Sequence, residues 1–283
     1  MELINFIKVI ILGLVEGITE FAPVSSTGHM IIVDDLWLRS VEFFGEESVK
    51  NTFLVVIQLG SILAVVVIFF ERFLDLLGLK RKTYKLGEKP QGHLKLTHVI
   101  VGIIPAGILG VLFEEIIDEY LFGVEYVVIS LFVGALLMIF ADWYGKRRSQ
   151  ERPVIETVDQ ITYKQAFIIG LYQCLSLWPG FSRSGATISG GVLTGLSHRA
   201  ASDFTFIMAV PIMAGASFLS LLKNWEYFTP EVLPLFIVGF ISAFIFALVF
   251  IRFFLRLINK IKLVPFAIYR IILAIILIIV VYF

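Results

Sequence analysis

The chain has 283 residues, 58% of them hydrophobic and only 16% charged, with equal numbers of basic and acidic side chains. A soluble domain carries about 25% charge, so this composition and a mean hydropathy of +0.93 place the chain in a bilayer. Zero net charge gives no electrostatic footprint for nucleic acid, and a single cysteine, Cys174, excludes an intramolecular disulfide.

The first apolar run, Ile4–Val15, covers roughly 18 Å at 1.5 Å per residue, short of the roughly 30 Å of hydrocarbon in a bilayer. It contains Lys8 and no A-x-A cleavage site follows it, so no signal peptide is expected. Glu16 and the break Pro23-Val24-Ser25-Ser26-Thr27-Gly28 come next, then a second short run, Ile31–Leu38. Residues 4–38 therefore read as a re-entrant helical hairpin. Three spans follow at Thr52–Phe70, Leu96–Phe113 and Val124–Tyr144. The short runs Ala166–Trp178 and Ile188–Leu196 repeat the hairpin design over residues 166–196. Spans at Phe204–Leu222, Val232–Phe250 and Val264–Phe283 complete the chain. The expected fold is an all-α polytopic membrane protein in two halves, residues 1–150 and 160–283, each a hairpin plus three transmembrane helices. Three spans are an odd number, so the second half is expected upside down, as an inverted-topology repeat.

Loop charge sets the expected orientation. Seven basic residues lie between Glu71 and Lys95, five between Gly145 and Gln165 and four between Ile251 and Leu263. The other side has only Arg39, Lys50 and Lys223. The positive-inside rule puts the three basic loops in the cytoplasm and both termini outside. The hairpins then enter from opposite sides and their tips meet near mid-membrane. Asp34, Asp35, Glu114, Glu115, Asp118 and Glu119 are expected on the solvated outer surface. Trp37, Trp143, Trp225 and Tyr227 are expected near the interfaces.

The two tips are copies of one motif. Gly13–His29 and Gly170–Ala186 align without gaps, so that Glu16 meets Gln173, Phe21 meets Trp178, and Ser25-Ser26-Thr27-Gly28 meets Ser182-Arg183-Ser184-Gly185. Broken helices in corresponding positions point to a site where they meet. Glu16 and Glu20 are four apart, on one helix face, and two carboxylates at membrane depth need a cation, an arginine or a proton. Each serine-rich turn leads into a short apolar helix whose N-terminal N–H groups suit phosphate, although ordinary capping also uses Ser and Thr. Arg183 has a fork that fits phosphate oxygens. His29, alone among the histidines in lying within a hairpin, can act as base or nucleophile. The absence of a Cys/His cluster argues against zinc, whereas two carboxylates plus a diphosphate suit Mg²⁺ or Ca²⁺.

Glu16-Gly-Ile-Thr-Glu20-Phe-Ala-Pro-Val-Ser-Ser-Thr-Gly-His29 and Pro179-Gly-Phe-Ser-Arg-Ser-Gly-Ala-Thr187 resemble the two signature motifs of the undecaprenyl-diphosphate phosphatases of the bacitracin-resistance type. The resemblance runs over essentially the whole chain. It implies removal of the terminal phosphate from undecaprenyl diphosphate, a polyprenyl lipid carrier of cell-wall synthesis. It also implies a plasma-membrane site open to the extracytoplasmic side, stimulation by divalent cations, and a link to bacitracin resistance. The expected catalytic residues are Glu16, Glu20, Ser26, His29 and Arg183. The expected phosphate-binding residues are Ser25, Thr27, Gly28, Gly180, Ser182, Ser184, Gly185 and Thr187, with Glu16 and Glu20 as metal ligands. No organic cofactor is expected. Either Ser26 or His29 fits the nucleophile, and direct attack by water stays open. The alternative from another class is a transporter or flippase of a lipid phosphate on the same scaffold, with Glu16 and Glu20 carrying protons. Formation of a homo-oligomer is left open.

Overall fold

A computed structural model describes residues 2–79, 92–121 and 123–282. Six helices are long and apolar enough to cross a membrane: α4 (Glu47–Ile68), α6 (Leu96–Tyr120), α7 (Val124–Arg148), α10 (His198–Lys223), α11 (Leu233–Ile261) and α12 (Val264–Tyr282). They coincide with the six expected spans, mostly with a turn or more added at one end. The remaining helices are shorter. The first hairpin descends through α1 (Leu3–Thr19) and returns through α2 (Ser26–Met30) and a π-helical stretch, Ile31–Leu38. Then come α3 (Ser40–Phe44) and, after α4, α5 (Phe70–Leu76). The second hairpin descends through α8 (Tyr163–Cys174) and returns through α9 (Arg183–Thr194). No extended sheet is present among the described residues.

Local chemistry explains where the second hairpin begins and ends. Thr162 Oγ1 accepts from Gln165 N–H while Gln165 Oε1 accepts from Thr162 N–H, a capping box that satisfies two first-turn donors of α8. At the other end Gly195, with φ +100°, takes the left-handed conformation that terminates α9.

In lipid, helices associate through close backbone packing rather than through a hydrophobic drive. Small residues at the crossings reflect this. α1 lies against α11 at Gly13, where a Cβ would sit 2.6 Å from Gly239 O, and Ser242 Oγ donates to Ile10 O at 2.8 Å. α8 lies against α6 at Gly170, where a Cβ would sit 2.4 Å from Gly102 O. These glycines are the aligned pair of the duplicated motif, so each descending helix uses the same position to approach a long span. Phenylalanines fill the space between: Phe44, Phe53 and Phe236 in one cluster, and Phe21, Phe206 and Phe254 in the other. At the basic end of the bundle, Asp142 of α7 ties three elements together. Its Oδ1 lies 2.6 Å from His198 Nε2, and its Oδ2 accepts from Leu263 N and Val264 N in the α11–α12 turn.

Several sequence expectations are corrected. α1 continues past Val15 through Glu16 to Thr19, because no helix breaker occurs before Pro23. Arg252, Arg256 and Lys260 belong to the last turns of α11 rather than to a loop. Asp34 is not on the solvated surface: it is 1% exposed and accepts from the N–H and hydroxyl of Ser40 at 2.9 and 2.8 Å. The π-helical stretch turns it inward. Asp35, half-exposed, pairs with Lys50 at 2.7 Å. The side chains of Glu114, Glu115, Asp118 and Glu119, and the basic residues Lys80, Arg81, Lys82, Lys85 and Lys89, lie outside the described residues.

Gly60 of α4 faces α11 so closely that a Cβ would sit 2.4 Å from Phe240 O, a backbone atom that cannot swing aside. Gly60→Ala is expected to lower the stability of the detergent-purified protein by about 1–3 kcal/mol through overpacking, read as a drop in melting temperature.

Candidate active site

The hairpin tips meet inside the bundle. Each tip turns at a serine whose φ is positive: Ser25 at φ 72° and ψ 102°, Ser182 at φ 70° and ψ 113°. Positive φ is uncommon outside glycine, and such strain persists only where the surroundings impose it. In both tips that serine's Oγ accepts from the N–H three residues on, Gly28 N and Gly185 N, each at 3.2 Å. The two turns therefore share one conformation and one cap.

Two bonds join the tips, Arg183–Glu20 and Ser184–Ala22, and a third, Ser26–Glu20, braces the first tip. Arg183 Nη2 donates to Glu20 Oε1 at 3.0 Å, Ser26 Oγ donates to Glu20 Oε2 at 2.7 Å, and Ser184 Oγ donates to Ala22 O at 2.9 Å. Glu20 is the hub. Its two oxygens hold one residue from each tip, and the Arg183–Glu20 pair is nearly dry, with side-chain exposures of 12% and 8%. A cavity of about 750 Å³ opens beside this junction, its wall formed by Ser26, Thr27, Glu16, Asp34, Lys50 and Gln58 among others. The second nitrogen of the Arg183 fork, Nη1, and Glu16 Oε1 have no hydrogen-bond partner among the described residues.

The other expected residues divide by what they touch. Thr27 lines the cavity. Ser25, Gly28, Ser184, Gly185 and Thr187 are buried and hold the turns. Thr187 Oγ1 donates to Arg183 O and accepts from Thr205 Oγ1, and Ser182 Oγ caps α9. Gly180 has φ +87°, and a Cβ there would meet Ser130 Oγ at 2.4 Å, so this turn requires glycine. His29 does not reach Ser26. Its Nδ1 lies 2.7 Å from Ser25 O and its Nε2 lies 2.7 Å from Tyr269 Oη. A carbonyl only accepts, so Nδ1 carries the proton, and in the neutral ring Nε2 accepts from the tyrosine.

Three residues of the site were missed in the sequence. Ser130 of α7 donates to Pro179 O. Tyr269 and Arg270 of α12 reach His29 and the Gly180 turn. Arg270 alone carried a signal, as the one charged residue in the apolar run Val264–Phe283.

For a divalent cation, the site offers the Glu16 carboxylate, which has no hydrogen-bond partner for its buried Oε1 among the described residues, while both oxygens of Glu20 are engaged. Among the described residues no three His, Cys, Asp or Glu side chains converge as metal ligands. The donor set therefore fits a cation bound by one or two carboxylates plus substrate phosphates, a habit of Mg²⁺, and not an all-protein cage.

The model of the family "Bacitracin resistance protein BacA" matches residues 9–276. A protein of Geobacillus sp. (strain WCH70) named undecaprenyl-diphosphatase is 68% identical over 99% of both chains. One of the same name from Bacillus subtilis (strain 168) is 61% identical over 95% of this chain and 96% of its own. Another from Exiguobacterium sibiricum is 58% identical over 100% of both.

Removing one member of a dry ion pair leaves the other charge stranded, whereas removing both does not. Arg183→Met is expected to cost about 3–5 kcal/mol. The Glu20→Gln/Arg183→Met double variant is expected to be more stable than Arg183→Met alone, as measured by thermal unfolding in detergent.

Proposed function

Since the chain belongs to the BacA family of bacitracin resistance proteins, we propose that it hydrolyses undecaprenyl diphosphate to undecaprenyl phosphate and phosphate. This activity renews the lipid carrier of cell-wall synthesis and underlies bacitracin resistance. One observation carries the reading: a hydroxyl at the cavity wall hydrogen-bonded to a carboxylate whose other oxygen holds a guanidinium, all within a multi-pass membrane protein.

The polyprenyl tail runs along the apolar helices, and the diphosphate enters the cavity. Ser26 Oγ attacks the terminal phosphorus as its proton passes to Glu20, the ionisable group hydrogen-bonded to that hydroxyl. Undecaprenyl phosphate leaves, taking that proton from Glu20; water then attacks the phosphoserine as Glu20 takes its proton, and Glu20 returns the proton to Ser26 Oγ as phosphate departs. Arg183 offers its free Nη1 to phosphate oxygens and offsets the charge of the transition state. The first-turn N–H groups of α9 add their dipoles. His29, with both ring nitrogens engaged, holds the Ser25–Ser26 turn in place rather than taking the serine proton. A divalent cation, when bound at Glu16, would supply charge neutralisation on the diphosphate oxygens.

The sidedness follows from charge. The cavity touches Val127 near the start of α7 and Ser220 near the end of α10. The basic cluster Lys146, Arg147 and Arg148 closes α7 at its far end. At 1.5 Å per residue a helix of 25 residues spans roughly 37 Å, so the cavity opens on the face away from the basic one, the extracytoplasmic side by the positive-inside rule. The matched serine turns and the matched glycine crossings support an inverted repeat of residues 1–150 and 160–283. A transporter on this scaffold needs alternating access and no nucleophile, so the Ser26–Glu20 hydrogen bond favours the enzyme.

Phosphate release from a polyprenyl diphosphate by purified protein tests the proposal, with and without EDTA. Glu20→Gln is expected to lower kcat about 10²–10⁴-fold, Arg183→Ala at least about 10²-fold, and Ser26→Ala to abolish detectable turnover. Substantial turnover in Ser26→Ala would sink the covalent route, and full activity in EDTA would remove the cation.

A further inference from the structure

Arg270 is the largest fully buried side chain of the described residues, at 0% exposure. It projects from α12 into the space between α7 and the second hairpin, and every acceptor it finds is neutral. Nη2 donates to Ser130 O at 3.2 Å and to Gly180 O at 3.1 Å. Nη1 lies 3.7 Å from Met138 Sδ, and Nε has no partner among the described residues. No carboxylate pairs with it among the described residues, in contrast to Arg183, which has Glu20. A guanidinium stays protonated under any ordinary condition, and a buried charge without a counter-charge is heavily penalised. Two glycines make room for it. A Cβ on Gly134 would sit 2.3 Å from Nη2, and one on Gly185 would sit 2.9 Å from Nη1. Gly180 and Gly185 bracket the turn that leads into α9, so Arg270 packs against that turn, whereas Ser26 and not Arg270 lines the cavity.

We propose that Arg270 is a positioning residue for the diphosphate. It fixes the Pro179–Gly185 turn and sets an uncompensated positive charge beside the first turn of α9. The dianionic headgroup in the cavity is the counter-charge that the fold itself withholds. Arg183 contacts the phosphates; Arg270 acts on them through the turn. The inference rests on the phosphatase reading for the identity of the anion. The diphosphate charge is present in the ground state and the transition state alike, so losing Arg270 removes uniform binding: KM rises and kcat changes little.

Binding of inorganic pyrophosphate to the detergent-purified protein, followed by the rise in melting temperature, is read beside KM and kcat. Arg270→Met is expected to weaken pyrophosphate binding and raise KM about tenfold, with kcat within about threefold. Arg270→Lys, which keeps the charge, is expected to recover most of the affinity. Gly134→Ala, which crowds the guanidinium from α7, is expected to move KM in the same direction as Arg270→Met, and it decides the matter if that variant does not fold. Wild-type pyrophosphate affinity in Arg270→Met, or an equal loss in Arg270→Lys and Arg270→Met at equal stability, overturns the proposal. Wild-type protein that neither binds pyrophosphate nor releases phosphate overturns the phosphatase reading instead.

Discussion

The structure depends on one buried carboxylate. Two half-length helices that stop inside a bilayer leave backbone groups and strained turns without water, and such ends are tolerated only when buried in protein or facing a wet cavity. Glu20 makes that burial mutual by accepting Ser26 from its own tip and Arg183 from the other. The pair is nearly dry, so the field between its members is little screened. Neither tip could be withdrawn without stranding a charge. The carboxylate that closes the fold through Arg183 is, in the proposed mechanism, also the one that takes the Ser26 proton, so stability and the proposed chemistry share the same three side chains.

Around this hub the tips are held rigidly. Ser25 and Ser182 adopt the same positive-φ geometry and the same cap. Ser184, Thr187 and Thr205 hydrogen-bond inward, and Ser130 and Arg270 grip the carbonyls of Pro179 and Gly180. Much of the hydroxyl-rich motif is thus committed to shaping the turn. Catalysis by positioned charges needs this rigidity, because donors that must reorganise during reaction lose their advantage.

Charge is distributed unevenly along the membrane normal. Carboxylates and Lys50 surround the cavity mouth, while Lys146, Arg147 and Arg148 stand at the opposite end of α7. There Asp142 secures His198 and the α11–α12 turn. The two ends of the bundle therefore differ: one holds the cavity among compensated charges, the other locks the spans.

The sequence by itself determined the membrane class, the six spans and the two interrupted hairpins, and it picked out Glu20, Ser26 and Arg183, which the fold brings together. Apolar length, broken periodicity and rare intramembrane charge are one-dimensional signals, each legible without a neighbour. It did not determine partners. Asp34 looked like a surface residue because it stands beside Asp35 before a loop, yet a π-helical stretch turns it into Ser40. His29 looked like the base for Ser26 because it lies three residues away, yet its ring faces Ser25 O and Tyr269, which α12 brings from the other end of the chain. Thr187 and Ser184 looked like phosphate ligands by motif, yet their hydroxyls are spent inside the fold. Arg270 acquired its place only when α12 packed against the Gly180 turn. Spacing along a helix decides which residues share a face. Which face meets which partner is settled by crossings between helices far apart in the chain, and that only the tertiary structure decided.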